Sequence, residues 1–232
     1  MATTIVYADA SDGVITSADA SYANARAGTG TTLTAATTGT TGNVGQGFST
    51  STYTCYQFFV NFDLITAGIP SGTVATSASL SFNIRTDRSQ TDFTLEARTK
   101  DWGSSLTTGD WVAGASLSGQ QLLASISTSG ISTTFTMTNY VSGTDKLLDA
   151  VNTALSGDGI LRIVLCSDRQ TNGNTPTQFE FLVLYLSEQS GTSVDPRISV
   201  TYPDVGHPTI RRFGLFNGTI PRIHGMEGAY IF

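Results

Sequence analysis

Residues 53–63 read Tyr-Thr-Cys-Tyr-Gln-Phe-Phe-Val-Asn-Phe-Asp, a run that combines polar–apolar alternation with continuous apolar residues. This mixture is typical of a central strand covered on both faces. On either side of it, short runs with a two-residue period recur between clusters of Gly, Asp, Asn and Ser. Many short strands at such spacing predict an all-β fold, an antiparallel jelly-roll-like β-sandwich. The predicted strands are 4–8, 13–17, 46–48, 53–62, 74–84, 93–97, 122–126, 134–138, 159–166, 178–187 and 197–202.

One segment, about residues 144–156, breaks the β pattern. Leu147, Val151 and Leu155 recur at helical spacing, after a threonine suited to an N-cap and before Gly157, which is suited to a helix stop. The pattern predicts one short amphipathic helix that covers an end or an edge of the sandwich. By contrast, residues 29–42 have no apolar periodicity, so contact with the body or with neighbouring chains must order them.

Composition excludes several classes of protein. The 232 residues carry a formal net charge of −6, only 13% are charged, and 39% are hydrophobic. An acidic chain of this kind has no basic face for phosphates, so we expect no nucleic acid partner. No apolar run approaches the roughly 20 residues that cross a bilayer, so we expect no membrane contact. We also expect no secretory signal at the start of the chain.

The chain divides at residue 202. Residues 1–202 form the predicted sandwich domain, in which residues 1–50 are Thr/Gly-rich strands and loops. Residues 1–202 carry nine basic and sixteen acidic residues, a formal charge of −7. Residues 203–232 carry three basic and two acidic residues, a formal charge of +1. This C-terminal segment is also strongly apolar, which is unusual for a solvated tail. Its large apolar residues are Ile210, Phe213, Leu215, Phe216, Ile220, Ile223, Met226, Tyr230, Ile231 and Phe232.

Residues suited to catalysis or metal binding are few. Both histidines, His207 and His224, lie in the C-terminal segment, outside the predicted body. Nucleophilic catalysis usually needs a histidine beside the nucleophile. Glu96, Glu180 and Glu188 lie on strands or turns where exposed charge is expected, so they nominate no pair for glycoside hydrolysis. We therefore expect a protein that is not an enzyme and uses no cofactor.

Three aspartates cluster near the start of the chain: Asp9, Asp12 and Asp19. Hard cations prefer such oxygen ligands, but the spacing is not that of a 12-residue calcium loop. Asx turns are the simpler interpretation, and we predict no metal ligands. Cys55 and Cys166 lie in separate apolar runs and lack the spacing of a zinc site, which favours two buried reduced thiols over a cross-strand disulfide.

Residues 44–202 resemble the DNRLRE-type β-sandwich domain, a jelly roll related to carbohydrate-binding modules. The likeness lies in Phe-Phe-Val-Asn-Phe-Asp-Leu at 58–64, in the Ile-Pro-Ser-Gly turn at 69–72 and the strand after it, and in the paired Trp102 and Trp111. It continues in the helix, in Gly-Ile-Leu-Arg-Ile-Val-Leu at 159–165, and in Pro-Arg-Ile-Ser-Val-Thr-Tyr at 196–202. Such motifs are mostly apolar and turn residues, so the likeness implies a fold more than a function.

A Thr/Gly-rich sandwich with a foreign, apolar end is similar to virion proteins of tailed bacteriophages. That resemblance implies a structural protein made in the host cytoplasm and carried in the virion, and we favour a capsid decoration protein over a tail or fibre component. Its partners would be other virion proteins and copies of itself, with a trimer as one option. The C-terminal arm would attach it through residues predicted to bind a partner: Arg211, Arg212, Phe213, Phe216, Arg222, Ile223 and Phe232.

The alternative function is glycan binding by Trp102 and Trp111, at a fibre tip or in a secreted module. Aromatic rings offer a flat apolar face with a polar handle, which suits sugars. That function requires both rings to be exposed and roughly coplanar. The DNRLRE likeness instead implies that the two rings pack around a loop between strands.

Overall fold

Alternation along residues 53–63 produces the strand on which the fold is built. The computed structural model describes residues 1–131, 133–137 and 146–204. Strand β5 (Thr52–Asp63) buries Phe58, Val60 and Phe62 in the main core, while Phe59 on its other face packs in a second cluster. The prediction of a central strand covered on both faces is confirmed.

Eleven further strands surround β5 within the described residues, and every pairing between strands is antiparallel. They are β1 (Ala2–Tyr7), β2 (Gly13–Asp19), β3 (Thr32–Ala36), β4 (Thr41–Ser49), β6 (Ser77–Asp87), β7 (Thr94–Thr99), β8 (Leu122–Ser127), β9 (Thr134–Met137), β10 (Ile160–Ser167), β11 (Glu180–Tyr185) and β12 (Arg197–Tyr202).

The strands form one curled sheet in the order β1-β12-β6-β11-β4-β5-β10-β7-β8. Strand β5 pairs with β4 over residues 52–56, with β10 over residues 58–63, and with β2 over residues 53–59. The curl encloses the main core, and the jelly-roll-like β-sandwich predicted from the sequence is confirmed. Strand β3 pairs with β2, so the body itself orders part of the aperiodic segment 29–42.

The predicted helix is present as α2 (Lys146–Ser156), which buries Leu147, Val151, Ala154 and Leu155 against the main core. Two further short helices, which the sequence analysis does not predict, are α1 (Tyr22–Ala27) and α3 (Asp168–Asn172). Both end at a glycine in the left-handed region. Two 3₁₀ segments, Thr108–Asp110 and Gly114–Gly119, follow β7, and the second of them contacts both α1 and α3.

The last strand of the described residues, β12, is an interior strand. It pairs with β1 along its whole length, from Ala2 opposite Tyr202 to Tyr7 opposite Arg197, and with β6 on its other side. Both cysteines are free and buried, as predicted. Burial raises the pKa of Cys55 to about 12 and that of Cys166 to about 12, so neither thiol is a ready nucleophile.

Candidate functional site

A layer of polar side chains lies beneath α1 and α3. Glu180 on β11 is 1% exposed, and one of its oxygens accepts hydrogen bonds from Arg169 Nε at 2.6 Å and from Gln46 Nε2 at 2.8 Å. Gln46 in turn accepts the Tyr22 hydroxyl at 2.7 Å, and its amide also donates to the Asn174 carbonyl at 2.7 Å. The layer joins β4, β11 and both short helices, so its role is structural.

A second buried ion pair lies on β7. Arg98 Nε donates to Glu96 Oε2 at 2.9 Å, and Thr171 in α3 donates to the same oxygen at 3.0 Å. Glu96 is 9% exposed. The prediction that Glu96 and Glu180 are exposed strand charges is therefore wrong. Short helices cover this outer face of the sheet, and each carboxylate is stabilised inside by its own arginine.

The two tryptophans lie in the clusters on this outer face. Trp102 is 6% exposed and packs edge to face on Phe59, with ring centroids 5.4 Å apart. Trp111 is half-buried and packs against the Trp102 cluster and the cluster around Tyr22 and Cys55. The requirement that both rings be exposed is not met, because Trp102 fills the space between the sheet and the loop that follows β7.

The early aspartates separate into two kinds. Asp9 and Asp19 accept the amides two residues ahead, from Ser11 and Ser21, at 2.7 Å each. These contacts are Asx turns, as predicted. Asp12 differs, because it is fully buried and its carboxylate faces the connection between β11 and β12 rather than its own loop. For Asp12 the Asx-turn prediction is wrong.

Asp12 on the β1–β2 loop interacts electrostatically with Glu188 on the β11–β12 connection, and Glu188 with Asp195 on the same connection; we call these three residues the carboxylate cluster. The Ser187 amide donates to Asp12 Oδ2 at 2.9 Å, and the Ser187 hydroxyl lies 3.1 Å from Asp12 Oδ1. The same hydroxyl lies 3.0 Å from the carbonyl oxygen of Asp9. The cluster therefore joins the β1–β2 loop to the β11–β12 connection.

The electrostatics of the carboxylate cluster are unusual. Burial, followed by the charge of Glu188, raises the pKa of Asp12 to about 8, although hydrogen bonds from Ser187 oppose the rise. Burial also raises the pKa of Glu188, to which the charge of Asp9 adds, and burial and the charge of Glu188 raise the pKa of Asp195. Asp12 and Glu188 interact electrostatically, and a proton on either one relieves the repulsion between them. Neither carboxylate oxygen of Glu188 has a hydrogen-bond donor among the described residues.

A shallow groove of about 390 Å³ lies between α2 and the start of β10. Its charged groups pair with one another. Arg162 lies 3.2 Å from Asp158 and 3.5 Å from Asp101. Lys100 lies 3.8 Å from Asp110. The groove therefore offers little uncompensated charge to a ligand.

Several expected features fall outside the described ranges. The residues predicted to bind a partner, from Arg211 to Phe232, all lie outside these ranges, and so do both histidines. Within residues 1–131, 133–137 and 146–204, no group of three or more His, Cys, Asp or Glu side chains could hold a metal ion. In the same ranges no helix has the length and apolar character needed to cross a membrane.

No protein-family model matches this sequence, and a search of curated proteins finds none that is similar. The likeness to the DNRLRE-type domain therefore stays a prediction.

The raised pKa of Asp12 predicts a pH-dependent stability. Between about pH 4 and pH 8 the folded chain keeps a proton on Asp12 that the unfolded chain releases, so the free energy of unfolding falls as the pH rises. One such proton contributes at most about 1.4 kcal/mol per pH unit. Asp12→Asn keeps a donor toward Glu188 and an acceptor for Ser187, so we expect it to flatten the dependence and to be the more stable protein at pH 8.

Urea unfolding of both proteins at pH 5, 6, 7 and 8 measures this effect. Asp149→Asn is the matched control, because Asp149 is exposed on α2 and its carboxylate contacts only Lys146 and solvent in the described structure. The control should follow the unmodified chain. An Asp12→Asn protein with the original pH slope would show that Asp12 does not hold the proton.

Proposed function

We propose that this chain is a non-enzymatic structural protein of a bacteriophage virion, a capsid decoration protein that attaches through residues 203–232. The observation that carries the proposal is the position of β12. This interior strand is paired with β1 as far as Tyr202 and with β6 as far as Thr201, so the C-terminal segment follows a strand that needs no further partner. The described residues of the main core, from Val6 to Tyr202, all precede the C-terminal segment.

The composition of the C-terminal segment supports attachment to another molecule. If half of its ten large apolar residues were buried, each would contribute roughly 1.5 to 3 kcal/mol, which offsets much of the cost of ordering the segment. Its three arginines follow a body of charge −7 and suit an acidic partner surface. Binding to the assembled lattice but not to free subunits would stabilise the particle by mass action.

Self-association belongs to the same proposal. Strand β1 is an edge strand whose only partner among the described residues is β12, and Ile5 and Tyr7 on its outward face are 52% and 37% exposed. An edge of this kind can pair with a neighbouring copy. A trimer at a three-fold position of a lattice is one arrangement that would use it.

Two sets of substitutions in full-length chains test which groups attach the protein. In the first, the apolar residues Phe213, Phe216, Ile223 and Phe232 become Ser. In the second, Arg211, Arg212 and Arg222 become Gln. Since each buried apolar anchor contributes roughly 1.5 to 3 kcal/mol, we expect the first set to weaken binding to particles at least about 100-fold. The second should weaken it less and remove most of its salt dependence.

Cosedimentation with particles that lack the chain measures both affinities. The matched control is Val74→Ser, at an apolar residue of the body that is 66% exposed and lies outside the β1 edge. It separates loss of the anchors from a loss of surface apolar area elsewhere. Equal binding by the apolar variant and the unmodified chain would contradict attachment through this segment.

A further inference from the structure

We propose that two copies of this chain pair edge to edge through β1, antiparallel and about a two-fold axis at Ile5. The pairing would make one continuous sheet across the dimer. The inference rests on the self-association in the proposed function and deepens it by naming the strand, the register and the symmetry. Its test uses the purified chain without particles, so its failure would leave attachment through residues 203–232 standing.

The backbone groups of β1 alternate in direction between β12 and the open edge. Continuing the β1–β12 pairing, the Ala8 amide donates to the Pro196 carbonyl at 2.8 Å. Because the direction alternates along an antiparallel strand, the even-numbered residues of β1 face β12 and the odd-numbered residues face away from it. Thr3, Ile5 and Tyr7 therefore direct their N–H and C=O groups to the open edge, where no described residue bonds them.

Strand β1 lacks the features with which edge strands usually avoid pairing. Its sequence, Ala-Thr-Thr-Ile-Val-Tyr, has no charge, proline or glycine, and its pairing with β12 runs over all six residues without a bulge. At the other end of the sheet, β8 has a register shift against β7 and contacts α2. Of these two edges, β1 is the one suited to pairing with a copy of itself.

A two-fold axis at Ile5 fits the side chains of this edge. It places Ile5 opposite Ile5 of the second copy and Thr3 opposite Tyr7 of that copy, so each facing pair exchanges hydrogen bonds. Ile5 is 52% exposed, and the β12 residues on the same face are the polar Ser199 and Thr201. The pairing covers this apolar side chain with its own copy. Since β1 has no charge, no like charges of this strand face each other across the axis.

The space beside the edge is open in the described structure. A hollow of about 330 Å³ lies between residues 5–7 with Asp9 on one side and the turn after β5, at residues 63–67, on the other. A six-residue edge is small compared with the roughly 1,200 Å² or more that stable interfaces bury, so we expect a reversible dimer of the purified chain. On a particle, attachment would hold copies close together and favour the pairing.

Analytical ultracentrifugation of the purified full-length chain, from micromolar to millimolar concentrations, tests the pairing. We expect a monomer–dimer equilibrium. Ile5→Lys places two like charges at the axis and should weaken the dimer at least about tenfold. The matched control, Val74→Lys, adds the same charge outside β1 and should leave the dimer unchanged. Both positions are exposed, at 52% and 66%, so both variants should fold.

Single cysteines test the register. In a hydrogen-bonded antiparallel pair the Cα atoms lie about 5.5 Å apart, within reach of a disulfide. Under a mild oxidant, Ile5→Cys should therefore form a disulfide dimer. Thr3→Cys alone should not, because its two copies would lie about 13 Å apart along the strands, but a mixture of Thr3→Cys and Tyr7→Cys should. The native Cys55 and Cys166 are buried and do not compete.

Three results would overturn the proposal. A chain that stays monomeric at every concentration would show that no second copy occupies the edge. A trimer would exclude the two-fold pairing, which closes at two copies. A dimer that Ile5→Lys does not weaken, or that forms disulfides equally at positions 3 and 5, would come from another surface or another register.

Discussion

Replacing Arg169 by Met should lower the free energy of unfolding by about 3 kcal/mol or more, because removing one partner of a buried ion pair leaves the other charge uncompensated. The side chain of Glu180 is only 1% exposed, and Arg169 is the cation that contacts it, at 2.6 Å. Without the guanidinium, the Gln46 amide still donates to that oxygen but carries no compensating charge. Methionine has similar length and packs well, so the loss should come from the charge rather than from a cavity.

Urea unfolding at neutral pH measures the loss, and a second substitution tests its cause. The double variant Arg169→Met, Glu180→Gln removes both charges, and we expect it to recover most of the stability. The matched control is Arg88→Met, at an exposed arginine of the same sheet region, which should change stability by less than about 0.5 kcal/mol. A double variant no more stable than the single one would place the loss in packing instead of charge.

The strands and the main helix could be predicted because they lie where local pattern and burial agree. Strand β6 buries Leu80, Phe82 and Ile84 on one face, which is the two-residue period visible in the sequence. The helix α2 buries its residues at helical spacing. In both elements only one face is buried. The apolar residues of that face recur with the period of a strand or a helix, and this period is what can be read from the sequence.

The outer face of the sheet could not be predicted in the same way. Glu96 and Glu180 occupy positions where alternation indicates solvent, but α1, α3 and the 3₁₀ segments cover that face. These helices have six and five residues, too few for an apolar period to be seen. Glu96 and Glu180 pair with Arg98 and Arg169, and these arginines could have suggested buried ion pairs. An arginine near a glutamate is common on surfaces as well, so the sequence does not distinguish the two cases.

The carboxylate cluster shows a second limit of sequence reasoning. Asp12 and Glu188 are separated by most of the chain, and neither lies in a recognisable metal-binding motif. The antiparallel pairing of β1 with β12 brings their two loops together, and only the folded arrangement shows this. The nearby Asp9, which forms the expected Asx turn, made the same explanation plausible for Asp12.

Removal of residues 203–232 should abolish attachment while leaving the domain folded, the second large effect that we expect. The strand β12 is paired with β1 as far as Tyr202, and the described residues of the main core lie between Val6 and Tyr202. Truncation therefore removes the proposed apolar anchors and arginines together, whose joint contribution exceeds that of either set alone. The full-length chain carrying Val74→Ser remains the control for nonspecific surface effects.

The direct measurement is the number of chains bound per particle, for residues 1–202 and for the full chain, on particles assembled without the protein. Urea unfolding and circular dichroism establish first that the truncated chain has the same midpoint and strand content as the full one. The account predicts full occupancy by the full chain and background binding by residues 1–202. Equal occupancy by a folded truncated chain would contradict it.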